Sequence, residues 1–268
     1  MFGTFLNLIL LLTAINLSAQ VYPAARYCAM GGTGNALQGV EGLTSNVAGI
    51  GSMTASRAGI YHQEHFLNTD IRTQGLLLAV PTKLGVFGSH ISNYGIKDAY
   101  SELKANLSYA KRFGPQLSIG LALNYHQLQL REYGKNQAFS ADVGLQFQVK
   151  PFWVIGARVA NPGYASYNYS AYSVIPVIIG VGTSYQFHPN LLITADSEKV
   201  LYRDKVDFRT GLEYKPISWM SFRGGIGLNE FSQFCGFGFV YHKMILDLAT
   251  VIHHRLGLSP QLLLAYAF

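Results

Sequence analysis

Histidines that could bind a metal ion occur as two close pairs in the sequence. His62 and His65 are three residues apart, and His253 directly precedes His254. If these stretches are strands, an odd spacing places the two imidazoles of each pair on opposite faces, where they cannot hold one metal ion. The spacing therefore argues against a metal site, and we predict that the protein has no cofactor.

Carboxylates with an even spacing form the other candidate group. Asp196 and Glu198 share one face of a strand, as do Asp207, Arg209 and Glu213. A carboxylate pair on one face could serve as an acid and a base, but rows that mix both signs of charge are routine in the polar interior of a membrane barrel. We interpret both rows as a network inside a lumen and predict that the protein is not an enzyme.

Phosphate and nucleic-acid binding are not expected either. The stretch Gly31-Gly32-Thr33-Gly34 lacks the preceding buried strand and the following helix that a phosphate-binding loop requires. The formal net charge of +6 comes from Lys and Arg residues that are scattered along the chain, which is not the pattern of a nucleic-acid surface. Cys28 and Cys235 are predicted to be two free thiols.

The breaks between segments indicate which elements carry these residues. Tight breaks at Pro81-Thr82, Gly114-Pro115, Lys150-Pro151, Pro189-Asn190 and Lys215-Pro216 alternate with longer polar breaks at Ser92–Ala99, Glu132–Gln137 and Pro162–Ser173. The segments between them have roughly nine to fifteen residues, about the length of a tilted membrane-spanning strand. Short turns on one side and long loops on the other predict an all-β fold, a transmembrane antiparallel β-barrel in the outer membrane.

Side-chain alternation and composition agree with this fold. Apolar residues alternate with polar residues or glycine from Phe139 to Lys150 and from Lys205 to Lys215. The alternation fits a soluble sandwich as well as a barrel with lipid outside and a wet lumen inside. However, only 13% of the residues are charged, against about 25% in soluble domains. Because no apolar run reaches the roughly 18 residues of a spanning helix, a closed barrel is the remaining way to cross a bilayer.

The predicted domain organisation has three parts. Residues 1–19 look like a secretory signal, with an apolar run from Phe5 to Ile15 and a small-residue cleavage site that ends near Ala19. Residues 20–58 are predicted to fold into the lumen as a plug, since Ala29–Gly59 consists of small and weakly apolar residues. Residues 59–268 are predicted to form a barrel of about fourteen strands, the first near 59–67 and the last near 259–268.

Aromatic residues occupy two informative positions in this scheme. Several lie beside the short turns, where an interfacial girdle is expected: Phe113, Phe152, Trp153, Phe187, Tyr214, Trp219 and Tyr241. The last strand ends in the row Leu262, Leu264, Tyr266, Phe268, which resembles the signal that the barrel-assembly machinery of Gram-negative bacteria recognises. We therefore expect Leu264, Tyr266 and Phe268 to direct assembly, with this machinery and outer-membrane lipid as partners.

The N-terminal segment also carries a family resemblance. Ala29-Met30-Gly31-Gly32-Thr33-Gly34 and then Asn46-Val47-Ala48-Gly49-Ile50 resemble the opening of the PorV/PorQ family of outer-membrane barrels, where a proline usually stands at the position of Val47. Asn161-Pro162-Gly163 and Ala195-Asp196-Ser197-Glu198-Lys199 are similar to the middle of that family. The resemblance implies a lumenal plug that includes Met30, Gly31, Gly32, Gly34, Asn46 and Gly49. It also implies a fold like that of the FadL-type transporters of hydrophobic compounds.

The resemblance implies two alternative functions. One is a secretion-accessory or transport role with type IX secretion components as partners, and the other is FadL-like passage of small hydrophobic ligands. Tyr164, Tyr167, Tyr169 and Tyr172 in the loop Gly163–Ser173 form either a partner-binding surface or an aromatic rim at the outer interface. A continuous apolar lumen with a lateral gap would favour the passage of small molecules. A lumen crossed by Arg209, Glu213 and Asp142 would favour a closed barrel.

Overall fold

Fourteen antiparallel strands close into one barrel. The computed structural model describes residues 22–132, 134–167, 175–229 and 231–268, so the predicted signal peptide lies outside the described residues. The strands are β1 (Arg57–His65), β2 (Asn68–Pro81), β3 (Val86–Ile96), β4 (Tyr100–Phe113), β5 (Leu117–Leu130), β6 (Gly134–Lys150), β7 (Trp153–Ala160), β8 (Ile178–His188), β9 (Leu191–Val200), β10 (Val206–Ile217), β11 (Met220–Gly227), β12 (Ser232–Tyr241), β13 (Met244–His253) and β14 (Gly257–Ala267). Each strand pairs with its neighbours in sequence, and β1 pairs with β14. The predicted fold class is confirmed.

Within residues 22–56, three short helices precede the barrel. They are α1 (Ala25–Ala29) and two 3-10 helices at Val40–Thr44 and Val47–Ser52. Within the described ranges, none of the helices is long and apolar enough to cross a membrane. Because β1 begins at Arg57, the barrel starts two residues before the boundary expected at residue 59.

The outer surface of the barrel is apolar, as the alternation predicts. Along β6, Phe139 is 73% exposed, and Leu145 and Phe147 on the same face are also exposed, while Gly144 and Gln146 point inward and are buried. Leu123 on the neighbouring strand is 70% exposed. Such side chains would be costly in water but are the expected lipid contacts of an outer-membrane barrel. All seven aromatic residues that were predicted as a girdle are exposed on this surface.

The lengths of the connections differ from the prediction. β3 continues to Ile96 and β6 already starts at Gly134, so most of the breaks expected at Ser92–Ala99 and Glu132–Gln137 is strand. Backbone hydrogen bonds between neighbouring strands continue past the expected strand ends. This pairing does not depend on whether the side chains are apolar. The connection 161–177 is long, and it contains the third predicted break. We assign the rim of the barrel that carries this connection to the outside. The opposite rim, where the barrel begins at Arg57 and ends at Ala267, is assigned to the periplasm.

The histidines of the first pair lie on opposite faces of β1, and the two cysteines are not bonded to each other. His65 is buried on the inner face of β1, whereas His62 is on the outer face, where its Nε2 is 3.8 Å from Glu64 Oε1. His253 ends β13 and His254 follows that strand. Cys28 and Cys235 are free thiols, the first buried and the second exposed. The predicted separation of His62 from His65 and the two free thiols are confirmed.

Candidate functional site

Residues 22–56, which we call the plug, lie inside the barrel. The six residues predicted for it, Met30, Gly31, Gly32, Gly34, Asn46 and Gly49, are all buried. The small apolar residues of the plug pack on inward side chains of β2, β13 and β14 such as Leu77, Val251 and Leu263. The segment therefore fills the part of the lumen that these side chains line.

Three residues in or next to the two motifs hold the plug to the barrel wall by hydrogen bonds. The Asn46 side-chain amide donates to the carbonyl oxygens of Leu145 at 3.0 Å and Ala157 at 3.2 Å. The backbone amides of Gly34 and Asn35 donate to Asp196 Oδ2 at 2.8 and 2.9 Å. Small residues let the plug backbone come close enough to the wall to form these bonds, and the asparagine side chain supplies an amide donor.

A buried ion network joins the plug to the wall near the periplasmic rim. Glu213 Oε2 is 3.0 Å from Arg26 Nε of the plug and 2.7 Å from Arg223 Nε of β11. Arg223 Nη1 also contacts Asp247 at 2.6 Å, and Lys215 Nζ is 3.0 Å from Glu213 Oε1. Glu213 is 1% exposed. Removal of one member of such a network leaves an unpaired buried charge, which is strongly destabilising.

Two further ion pairs lie in the lumen, farther from the periplasmic rim. Arg158 contacts Glu198 at 2.8 Å and also donates to the plug carbonyl of Ser45 at 3.1 Å. Arg209 contacts Asp207 at 2.6 Å and donates to the carbonyl of Gly32 at 3.4 Å. The mixed-charge rows predicted for β9 and β10 therefore form lumenal networks. Arg209, Glu213 and Asp142 all face the lumen, as the closed-barrel alternative requires.

Inward glycines let the plug backbone approach the wall closely. On eight strands, a Cβ added to an inward glycine would come closer than 3.0 Å to a plug atom, and we call this set the glycine belt: Gly88, Gly120, Gly144, Gly156, Gly180, Gly182, Gly211, Gly225 and Gly236. At Gly225 the added Cβ would be 2.6 Å from Gly31 Cα and 2.7 Å from the carbonyl carbon of Met30. Both are backbone atoms, so no side-chain rotation can make room.

The interior of the plug is shielded from water. Burial raises the pKa of the Glu41 carboxyl, and the nearby Arg26 guanidinium only partly opposes that effect. Burial also raises the pKa of the Cys28 thiol to about 12. A buried thiol with so high a pKa is unreactive at neutral pH because the thiolate is the reactive form. Labelling of the Cys28 thiol would therefore report whether the plug has moved.

A cavity of about 520 Å³ lies above the plug, toward the outer rim. One side of it, which we call the aromatic wall, comes from β1, β3 and β4 and includes Tyr61, His90, Tyr94 and Tyr100. The Tyr61 hydroxyl is 2.9 Å from His90 Nε2, and the ring centroids of Tyr94 and Tyr100 are 5.9 Å apart. Such rings provide rigid apolar surface with polar tips.

The other side of the cavity is charged. Arg158 and Glu198 line it together with Asp207 and Arg209, and these are the two lumenal ion pairs described above. Between the two sides, Lys104 Nζ is 3.9 Å from Asp142 Oδ2. The cavity is therefore amphipathic, with rings on one side and mutually paired charges on the other. Within the described ranges, no group of three His, Cys, Asp or Glu residues could hold a metal ion.

The predicted tyrosine loop lies partly outside the described residues, since Tyr169 and Tyr172 are not among them. Tyr164 is 69% exposed, whereas Tyr167 is buried against Ala138, Ile175 and Leu128 and lines the cavity. Of the two tyrosines that are described, only Tyr164 offers a free face at the outer rim. Tyr167 belongs to the roof of the cavity.

The predicted assembly row lies on the lipid face of β14. Leu264, Tyr266 and Phe268 are exposed, and the Phe268 amide donates to the carbonyl of Ser56 at 3.0 Å. We expect Phe268→Lys to lower the amount of folded protein in outer-membrane fractions several-fold, because a charge replaces the last apolar member of the row. Gel shift of the unheated protein measures this, with Phe231→Lys, an exposed aromatic at the outer rim, as the control. Equal folded levels of both variants would contradict an assembly role.

Several site residues could not be predicted from the sequence. Arg26 and Asn35 of the plug meet partners that are 187 and 161 residues away in sequence, and no local pattern signals such pairs. The glycine belt was partly visible, since alternation already placed Gly144 and Gly211 in inward rows. A glycine at an inward position of a strand is the signal that another backbone approaches closely.

Comparison with solved structures supports the fold. The toluene transporter TbuX of Ralstonia pickettii is 16% identical, with a TM-score of 0.66 over 95% of this chain and 98% of that chain. The toluene transporter TodX of Pseudomonas putida is 12% identical, with a TM-score of 0.70 over 93% and 99%. A FadL homologue of Pseudomonas aeruginosa is 11% identical, with a TM-score of 0.67 over 93% and 99%.

Sequence comparison adds no family assignment. No family model matches the chain, and no curated protein matches it, so the PorV/PorQ resemblance stays a prediction. At these identities the structural likeness shows the fold alone. The chain is a plugged, fourteen-stranded barrel of the kind found in the outer membrane of Gram-negative bacteria, and it shares its fold with the FadL-type barrels.

Proposed function

We propose that the protein is a non-enzymatic channel that admits small hydrophobic molecules through the outer membrane, in the manner of a FadL-type transporter. The observation that carries the proposal is the cavity above the plug, with its wall of Tyr61, His90, Tyr94 and Tyr100. A concave site lined by rings and a few polar groups is the usual form of a small-molecule site. The similar fold of two toluene transporters supports the same function.

Passage beyond the cavity requires a change in the plug. In the structure the plug is held by the Glu213 network, by Asp196 and by Asn46, so the lower lumen is closed. A molecule bound above the plug reaches the periplasm only if these contacts loosen. The proposal therefore includes a closed resting state and a rearrangement of the plug during transport.

We expect Ser92→Trp to abolish the uptake of toluene. Ser92 is an inward residue of β3 that lines the cavity, and an indole at this position would occupy the space in front of the aromatic wall. The measurement is the initial rate of ¹⁴C-toluene uptake by cells of a Gram-negative host that lacks its own channel of this type. The wild-type protein should raise the rate above that of cells with an empty vector.

The matched control is Ile91→Trp, on the adjacent residue. Ile91 is exposed on the lipid face, where a tryptophan is easily accommodated, so this variant should transport like the wild type. A wild-type rate equal to that of the empty vector would refute the proposal. Normal transport by Ser92→Trp would place the route outside the cavity.

The second candidate function is a secretion-accessory barrel, as the PorV/PorQ resemblance implies. The closed lower lumen favours it, because a barrel that never opens can still present a surface to partners. Tyr164 at the outer rim is an exposed contact for such a partner. Type IX secretion components that co-purify with the wild type but not with Tyr164→Ser, in a strain with unchanged toluene uptake, would support this candidate over the channel.

A further inference from the structure

Polar side chains line the cavity together with the aromatic rings. His90 and Tyr167, both lining residues, are 5% and 6% exposed. Nδ1 of His90 and the hydroxyl of Tyr167 have no hydrogen-bond partner in the part of the chain that the structure describes. Both atoms are themselves buried and closed off from the cavity, so a polar contact to a ligand must come from another lining group.

Lys104 is the central polar group of the cavity. Its ammonium lies 3.9 Å from Asp142 Oδ2, which is beyond the length of a direct hydrogen bond. Over the described ranges, the Lys104 ammonium makes no hydrogen bond to the protein. A single hydroxyl group placed between the two side chains could accept a hydrogen bond from Nζ and donate one to Oδ2. Two charge-assisted bonds of this kind would fix the orientation of a ligand.

The aromatic wall supplies the surface for the rest of such a ligand. Lys104 shares the inner face of β4 with Tyr100 and Glu102, and its neighbour in the ladder, Ser92, lies between His90 and Tyr94 on β3. A ring whose hydroxyl meets Lys104 is therefore close to the rings of Tyr94 and Tyr61. Offset or edge-to-face contacts between rings add to the binding free energy.

The charges around Lys104 disfavour an anionic ligand. Asp142 and Glu102 both line the same region, so two carboxylates face one ammonium. The Glu102 carboxylate accepts a hydrogen bond from the Tyr100 hydroxyl at 2.9 Å. On the opposite wall, Arg158 and Arg209 are paired with Glu198 and Asp207, whereas Arg203 and Lys205 line the cavity at a different place from Lys104. A carboxylate on the ligand would meet like charges here, whereas a neutral hydroxyl would not.

We propose that the cavity binds small neutral aromatic molecules that carry a hydroxyl group, with the hydroxyl between Lys104 and Asp142 and the ring against the aromatic wall. This inference rests on the proposed function, because it assigns a ligand class to the same cavity. In such a site, unlike in a site for plain hydrocarbons, the hydroxyl group of the ligand contributes to the binding affinity.

Equilibrium dialysis of the purified, detergent-solubilised protein tests the proposal with ¹⁴C-labelled phenol, toluene and benzoate. The Ser92→Trp variant serves as the reference, since it carries the same detergent but a filled cavity. We expect the wild type to bind phenol more tightly than toluene, and benzoate more weakly than phenol. In Lys104→Met the ratio of phenol to toluene affinity should fall about tenfold, as for the loss of one charge-assisted hydrogen bond. Lys111→Met, on the outer face of the same strand, should keep the wild-type ratio.

The outcomes separate this inference from the proposed function. Toluene bound more tightly than phenol, or an unchanged ratio in Lys104→Met, would overturn the inference and leave the channel proposal standing. Benzoate bound more tightly than phenol would show that the cavity selects anions. Binding of none of the three ligands by the wild type would refute the channel proposal itself. If Lys104→Met does not fold, Asp142→Asn tests the same hydroxyl contact and should lower the same ratio.

Discussion

Glu213→Gln is expected to release the plug and make the barrel leaky to ions. The Glu213 carboxylate is shared by Arg26 of the plug and by Arg223 and Lys215 of the wall. Glutamine keeps the shape of the side chain but leaves these cations around a neutral amide in a buried site. The loss of one partner of a buried ion pair typically costs about 3–5 kcal/mol.

Two readouts follow from the position of Cys28. In a Cys235→Ala background, Cys28 is the remaining thiol, and in the wild-type plug it is buried with a pKa raised to about 12 by that burial. A maleimide reagent at neutral pH should label Cys28 in the folded Glu213→Gln variant but not in the folded parent. Planar-bilayer recordings should show ion conductance only for the variant. Glu64→Gln, on the outer face of β1, should behave like the parent in both assays, and an unlabelled, non-conducting Glu213→Gln would contradict the role of the network.

Gly225→Ala is the second change with a large expected effect. The added methyl group would lie 2.6 Å from Gly31 Cα, within the plug backbone, so either the plug or β11 must move. Overpacking of this kind typically costs about 1–3 kcal/mol. Since the strand is held by ladders on both sides, we expect the plug to yield. Its residues should then become accessible while the barrel stays closed.

Limited proteolysis of the folded barrel measures this directly. Gly225→Ala should be cut within residues 22–56 at protease concentrations that leave the wild type intact, and labelling of Cys28 should rise in parallel. The adjacent Gly224 is the matched control, because a Cβ there would meet nothing closer than 3.8 Å. If Gly224→Ala and Gly225→Ala are equally resistant, close backbone contact at the glycine belt does not determine the position of the plug.

The architecture could be predicted from sequence because its signals are local. Alternation along a single strand, as from Phe139 to Lys150, depends only on the period of two residues and on the contrast between lipid and lumen. Turn residues such as Gly114-Pro115 mark ends in the same local way. Loop lengths were less accurate, since residues such as Gly134–Gln137 join β6 through partners on β5. The composition of a segment does not show whether it pairs with a neighbouring strand.

The site was harder to predict because it is made of contacts that are distant in sequence. The rows on β9 and β10 could be assigned to the lumen, but the partner of Glu213 in the plug, Arg26, could not be identified from spacing. The same holds for Asp196, whose hydrogen bonds come from the backbone of Gly34 and Asn35. The cavity depends on where the plug stops, and this is determined by close packing at positions such as Gly88 and Leu43.

Anomalous diffraction from crystals of the protein soaked with 4-bromotoluene would show whether the cavity above the plug is a ligand site. We expect a bromine peak inside the barrel, between the aromatic wall and Lys104, in the wild type and no such peak in Ser92→Trp. A bromine peak only on the lipid-facing surface, or the same lumenal peak in Ser92→Trp, would contradict this expectation.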